Sequence, residues 1–203
     1  MRILLSGYDK STRNLIFRVY AAELPADGQR QNHRAAHFAA LDLLGAALAE
    51  DFGVYHAIIH RTGLGKPQLM RDDLYMNLSH CRGLAAAAVG RIPLGVDAEA
   101  PRPVREAMMQ KVCAPEEIAQ IQAADDQKIA FTRFWTLKEA YAKYTGSGLR
   151  LDFSALRFTP DADTITFHHP DAENVRFVQL TGVSGCTVSL CFGSGTEISI
   201  EYN

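Results

Sequence analysis

Residues 131–143 read FTRFWTLKEAYAK, and the fold is best read outward from them. Projected at about 100° per residue, Phe131, Phe134, Trp135, Leu137, Tyr141 and Ala142 share one broad apolar arc, the mark of a helix laid against a core. The pattern predicts a long helix from Asp125 to Tyr144 that stops before Gly146-Ser147-Gly148. Glu139 and Lys143 stand together at the edge of the arc, four residues apart. Such a pair is most often a solvated ion pair worth about 0.2–0.5 kcal/mol. Its functional alternative presents a carboxylate to a cation and an ammonium to an anion. Lys138 projects nearer the middle of the arc, where a lysine must snorkel, pair or line a cleft.

About 40 residues upstream stands Gly95-Val96-Asp97-Ala98-Glu99. In an extended chain Asp97 and Glu99 point the same way, about 7 Å apart, while Val96 and Ala98 face the core. That spacing can grip one hard cation from two sides. An isolated D-x-E is more often a solvated strand end, but a third acid in the patterned helix shifts the balance toward a site.

Around these two segments the chain alternates strands and helices. Asn14–Tyr20, Val54–His60, Tyr75–Leu78, Leu84–Val89 and Leu94–Asp97 read as extended, although the alanine run could equally be helical. Apolar residues from Ala35 to Leu48 recur at helical spacing and predict a long helix ending near Asp51 and Gly53. After Pro101 and Pro103, residues 104–112 read as helix, and Ala114-Pro115-Glu116-Glu117 as a second helix start, with proline in the first turn. Beyond Leu156, short runs at 164–167, 175–180, 187–192 and 197–202 suggest an antiparallel meander. Each half thus offers one long helix among strands, which is compatible with a pseudo-duplicated α+β architecture.

The chain has 203 residues, 47% of them hydrophobic and 22% charged, with a formal net charge of -2. It can bury a sizeable core, and bulk attraction to nucleic acid or an anionic membrane is not the expected organising force. The amino-terminal MRILLSGYDK stops being apolar before a signal-peptide core would be complete, and no run approaches the 18 or so apolar residues of a membrane span. The four cysteines form neither C-x-x-C nor a tight zinc spacing. A soluble, cytoplasmic protein in a reducing compartment is expected.

Several polar clusters remain. Asn77-Leu78-Ser79-His80-Cys81 lies close to the D-x-E, and His80 could donate to a phosphate or cap a strand end. A Ser-His-Asp hydrolase is disfavoured, because Ser79 and His80 are adjacent and G-x-S-x-G is missing. Gly65-Lys66-Pro67 could set a cation beside a tight turn, but lacks the Walker A spacing. Arg30, Arg34 and His37 could form a basic edge on the first long helix.

Taken together, NLSHC at 77–81, GVDAE at 95–99 and FWTLKEAYAKYTGSGL at 134–149 resemble the ordered signatures of the 4'-phosphopantetheinyl transferase superfamily. Gly65-Lys66-Pro67 is similar to a further nucleotide-contacting motif of that family. The resemblance implies a pseudo-twofold duplicated α+β fold, each half a long helix packed against a small, mostly antiparallel sheet. It implies an N-terminal lobe over 1–93 and a C-terminal lobe over 94–203, with the active site between them. It further implies transfer of the 4'-phosphopantetheine group of coenzyme A to a serine of an acyl, peptidyl or aryl carrier protein, with magnesium or alternatively manganese as cofactor.

By that resemblance Asp97, Glu99 and Glu139 would hold the metal, and Glu139, Lys143 and His80 would carry catalysis. Coenzyme A would be bound by Arg30, Arg34, His37, Lys66, Pro67, Ser79, His80, Asp97, Lys138 and Lys143. Lys143 is expected on the pyrophosphate, Lys66 and His80 on phosphates, and Arg30 or Arg34 near the 3'-phosphate. Ala98 replaces the larger aliphatic residue usual within the G-x-D-x-E, and His37 stands where the family commonly has arginine. The short length predicts a two-lobed monomer, with a dimer as the alternative, and neither nucleic acid nor membrane is expected as a partner. A magnesium-dependent phosphohydrolase and a non-enzymatic binding module are the competing readings.

Overall fold

The structure is a computed structural model that describes residues 2–24, 33–63, 65–161 and 164–202. Its strands are β1 (Arg2–Asp9), β2 (Leu15–Glu23), β3 (Ile59–Arg61), β4 (Pro67–Leu69), β5 (Tyr75–Cys81), β6 (Leu84–Gly90), β7 (Leu94–Glu99), β8 (Arg157–Pro160), β9 (Ile165–His168), β10 (Val175–Val183), β11 (Cys186–Gly193) and β12 (Thr196–Tyr202). The α-helices are α1 (His33–Phe52), α2 (Glu106–Val112), α3 (Pro115–Ala123) and α4 (Gln127–Thr145).

A five-stranded sheet runs β12-β1-β2-β6-β5, and a three-stranded sheet runs β10-β11-β7. Every pairing in them is antiparallel. Strand alternation divides the apolar residues between layers. Ile3, Leu5, Phe17, Val19, Ala86 and Ala88 of the first sheet meet Leu94, Val96, Val188, Leu190 and Phe192 of the second in one core. On the outer face of the first sheet, Ala87 and Val89 pack against Leu44, Ala47 and Leu48 of α1. On the far side of the second, Cys191 and Val175 pack against Phe134, Leu137 and Tyr141 of α4. The layers therefore run α1, sheet, sheet, α4, an α+β architecture with a long helix on each small antiparallel sheet, as the sequence led one to expect.

The helix expected over 125–144 is α4. Asp126 caps it by accepting from the amides of Lys128 and Ile129, and Gly146 ends it in the left-handed region at φ 74°. The alanine run resolves as β6, buried along its whole length; placement between β2 and β5 overrides alanine's helical preference.

Two expectations are corrected, and one strand is added. Of the strand expected over 54–60, only Ile59 and His60 are extended, because after Gly53 (φ 67°) Tyr55, His56 and Ile58 face solvent with no sheet edge to join. Ile59–Arg61 pairs instead with Pro67–Leu69 in a small ribbon. The C-terminal runs do not form one meander. β8 and β9 make a separate ribbon, and β12 leaves to pair with β1, since the edge of β11 away from β10 is taken by β7. The last strand thereby completes the first sheet. Finally β1, which the amino-terminal residues did not suggest, lies between β2 and β12.

Among the described residues no helix is long and apolar enough to cross a membrane.

Candidate active site

The site grows from the seam between the two sheets. β7 is the terminal strand of its sheet, and two of its amides are satisfied by side chains of β5 in place of another strand. Val96 N–H donates to Asn77 Oδ1 at 2.9 Å, and Ala98 N–H to Ser79 Oγ at 3.0 Å. Asn77 and Ser79 are two apart, so the pleat turns both toward β7. The same alternation carries Val96 and Ala98 into the inter-sheet core, and Asp97 and Glu99 line the cleft on the other face.

α4 lies against β7 at a distance only glycine permits. A Cβ on Gly95 would stand 2.1 Å from the Ala140 carbonyl oxygen and 2.4 Å from the Tyr144 nitrogen, both backbone atoms. This close approach brings Lys143 onto β7. Its ammonium donates to Asp97 Oδ1 at 2.8 Å, to the Val96 carbonyl at 2.9 Å and to Ser79 Oγ at 3.1 Å. Ser79 also donates to Asp97 Oδ1 at 3.0 Å. The other oxygen, Asp97 Oδ2, is buried and has no hydrogen-bond partner.

Asp97, Glu99, Glu139 and Lys143 line one cleft of 360 Å³ with His80 and Trp135. The acids oppose one another's ionisation. Burial, then the Asp97 charge, pushes the Glu139 carboxyl up to about 7 against the pull of Lys143, with Glu99 adding to the rise. Burial and Asp97 likewise raise Glu99, with Arg102 and Lys143 opposing. Among the described residues no three His, Cys, Asp or Glu side chains are arranged to hold a metal ion as they stand; Lys143 covers one Asp97 oxygen. The bare Asp97 Oδ2 and two carboxyls whose ionisation is opposed by burial and by the Asp97 charge are nonetheless a donor set that a divalent cation would satisfy, since hard cations take carboxylate oxygens.

His80 leaves β5 toward α1, its ring 4.4 Å from that of His33 and 5.6 Å from that of His37. Burial, followed by the charges of His33, His37 and Lys143, holds it below its ordinary value. Lys66, from the turn between β3 and β4, donates to the Lys143 carbonyl, and burial lowers its pKa. A second cavity of 600 Å³ shares Pro67, Leu78, Glu139 and Lys143 with the first and adds Lys66 and Arg150. The cleft thus continues along the last turn of α4.

Not every residue singled out in the sequence arrives there. Lys138 is fully buried away from the cleft, donating to Glu117 Oε2 at 2.6 Å and to the Phe153 and Leu156 carbonyls. Glu117 in turn accepts from the amides of Ala114 and Phe158. Of the three possibilities for a lysine on the apolar arc, the paired one holds, and the ammonium is not among the groups brought to the cleft. Ser79 lines the cleft, but its hydroxyl is committed to the seam. Arg34 is exposed on the first turn of α1, 5.7 Å over the Phe38 ring, and is not among the residues lining the 360 Å³ cleft. His37 and Pro67 do line it. Arg30 lies outside the described residues.

Sequence reasoning missed Arg61 and Trp135 as cleft residues and Asn77 as the seam's second anchor. Trp135 was visible as one turn before Glu139 and Asn77 as two before Ser79. No local pattern marked Arg61.

The family model that matches this chain, over residues 93–189, is described as the 4'-phosphopantetheinyl transferase superfamily. Over those residues, just under half of its length, the chain is similar to that superfamily. The 4'-phosphopantetheinyl transferase match begins just before β7 and ends within β11, taking in Asp97, Glu99, Glu139 and Lys143. The 4'-phosphopantetheinyl transferase psf-1 of Bacillus pumilus is 31% identical over 127 residues, 60% of this chain and 54% of that protein. The 4'-phosphopantetheinyl transferase HetI of Nostoc sp. is 37% identical over 107 residues, 47% of this chain and 45% of its own length. The chain spans about half the length of such curated relatives. Among solved structures, the holo-[acyl-carrier-protein] synthase of Neisseria meningitidis superposes on 50% of this chain and 97% of its own, with 17% identity and a TM-score of 0.44.

Proposed function

We propose that this protein transfers the 4'-phosphopantetheine group of coenzyme A to a serine hydroxyl of a carrier protein, releasing 3',5'-ADP. One juxtaposition carries the reading: Asp97, Glu99 and Glu139, distant in sequence, line a single cleft with the ammonium of Lys143. The likeness of residues 93–189 to the superfamily supports it independently. Magnesium, or manganese, would be held by those three carboxylates and would supply charge neutralisation to the diphosphate.

The protein's own groups do the remainder. Lys143, at the seam, and Lys66, at the adjoining cavity, face the diphosphate oxygens, with His80 and Arg61 on the far wall. Lys66 loses little by releasing a carbonyl for a phosphate, because burial already disfavours its charge there. The serine oxygen attacks the phosphorus that bears pantetheine. An O–P bond forms, the bond to the ADP phosphate breaks, and its electron pair leaves on 3',5'-ADP. Glu139, as the carboxylate at the edge of the cleft, takes the serine proton. Positioning and electrostatics supply most of the rate, as expected where the transferred group already carries charge.

The carrier, an acyl, peptidyl or aryl carrier protein, is too large to enter the cleft and must dock at its mouth. The protein is proposed to act as a monomer in the cytoplasm, without nucleic acid or membrane. The deciding experiment incubates it with magnesium, coenzyme A and a panel of apo-carriers and reads intact mass. Gain of phosphopantetheine with release of 3',5'-ADP is the expected result. Release without carrier modification would replace the reading with hydrolysis, and binding without any product would replace it with a module.

A further inference from the structure

We propose that Cys81 and Cys186 form a reversible disulfide that latches the two sheets together beside the cleft, made by exchange with a low-molecular-weight disulfide. Cys81 is the last residue of β5 and Cys186 the first of β11. They are 105 residues apart in sequence, yet their sulfurs lie 3.5 Å from each other. Cys81 is partly exposed and Cys186 is 1% exposed. The other two cysteines, Cys113 and Cys191, are buried in the α4-side core.

Each sulfur sits beside a turn. Gly83 (φ 97°) follows Cys81, and Ser184 (φ 49°) and Gly185 (φ 75°) precede Cys186. A disulfide needs the sulfurs at about 2.05 Å, so each turn has to yield a share of roughly 1.5 Å. Cys186 Sγ also faces the Arg82 carbonyl at 3.5 Å, so both strand ends already meet at this point. The Cys81 S–H donates to Cys186; that bond holds the Cys186 thiol below its ordinary value and, with burial, holds the Cys81 thiol well above it. The proton is shared by the pair, and the charge left when it departs can reside on either sulfur.

The exchange balances without a further reagent. Once the pair has lost one proton and the shared one has moved onto Cys186, thiolate at the accessible Cys81 attacks the S–S bond of the oxidant, giving a mixed disulfide and one released thiol. Cys186 then attacks the Cys81 sulfur, forming the protein disulfide and expelling the second thiol. The pair loses two electrons and two protons, which reduce one small disulfide to two thiols.

Its consequence for activity rests on the transferase reading. His80 immediately precedes Cys81, and Thr187, immediately after Cys186, is the cross-strand partner of Glu99. Closing the latch draws the strand of one toward the strand of the other.

The test oxidises reduced wild-type protein with oxidised glutathione, alkylates remaining thiols, and applies intact-mass and peptide mapping. The expected result is loss of two of the four alkylatable thiols, a linked peptide containing Cys81 and Cys186, and recovery of all four with dithiothreitol. Cys186→Ser should stall at a glutathione adduct on Cys81. Retention of all four thiols by the wild type, a lasting adduct on wild-type Cys81, or linkage through Cys113 or Cys191 overturns the pairing. With a thioether analogue of coenzyme A, which adds no thiol, carrier modification should fall about tenfold or more in the linked protein and return on reduction. An undiminished rate in linked protein overturns the latch. A protein that links but modifies no carrier in either redox state sustains the pairing and counts against the transferase reading.

Discussion

At the scale of single residues, the acids of the cleft make the sign of the pH dependence definite. Glu139 and Glu99 bind their protons more tightly folded than unfolded. For Glu139 that contribution to stability is complete below the ordinary glutamate value of 4.5 and is lost as pH rises through about 7, and Glu99 acts in the same direction. His80 acts oppositely: its depressed value favours the fold above 6.5, and this is lost on acidification. Glu139→Gln should therefore stabilise the metal-free protein at pH 8 by about 1–3 kcal/mol, have little effect at pH 4, and abolish most carrier modification. Urea denaturation of both proteins at the two pH values, with and without magnesium, checks it; magnesium should stabilise only the wild type appreciably. Lys138→Met should cost about 3–5 kcal/mol by stranding the Glu117 carboxylate, with partial recovery in Lys138→Met/Glu117→Gln. The Michaelis constant for coenzyme A should not change in the folded fraction, because the ammonium does not reach the cleft. Lys138 also shows where residue-level reading stops. Its helical phase was correct, but which of three fates befell it depended on residues 117, 153 and 156, whose approach no local pattern encodes.

At the scale of elements, α4 and β7 act as one unit because their backbones touch. Gly95→Ala, a single methyl, must push α4 off the strand. We expect at least about 2 kcal/mol of destabilisation, since backbone cannot rotate aside as a side chain can. A loss of carrier modification far beyond the folded fraction should accompany it, because Lys143 and Glu139 move away from Asp97. Thermal melts beside the mass assay separate the two effects; a stable, fully active variant would mean the contact is dispensable. Both acidic segments were legible because each obeys one local period, 2.0 for Asp97 and Glu99 and 3.6 for Glu139 and Lys143. The ribbon carrying Lys66 and Arg61 was not, because three-residue strands show no period of their own. The exposed 55–58 stretch misled for the opposite reason: its apolar residues looked like a buried strand although no sheet edge awaited them.

At the scale of the whole molecule, β12 ties the end of the chain into the first sheet, and the seam of Asn77 and Ser79 ties that sheet to the second. The halves should therefore unfold together. Fluorescence of Trp135, the single tryptophan, reports the α4 side, and far-ultraviolet circular dichroism reports the whole; their urea transitions should coincide. A Trp135 transition displaced from the dichroism curve would show two independently stable lobes. The layering was legible from two long helices among strands, whereas the destination of β12 was not, since strand pairing between chain ends leaves no trace in either segment alone. The alanines of β6 have a further consequence. Ala86 and Ala88 look toward β7, and Ala87 toward α1, so this strand is the thinnest shim in the stack and sets how far α1, with His37, stands from the acids. Thickening it by a methyl or two would widen the gap without altering any group that meets a ligand, and such positions are where chains of this architecture could retune the size of molecule they accept.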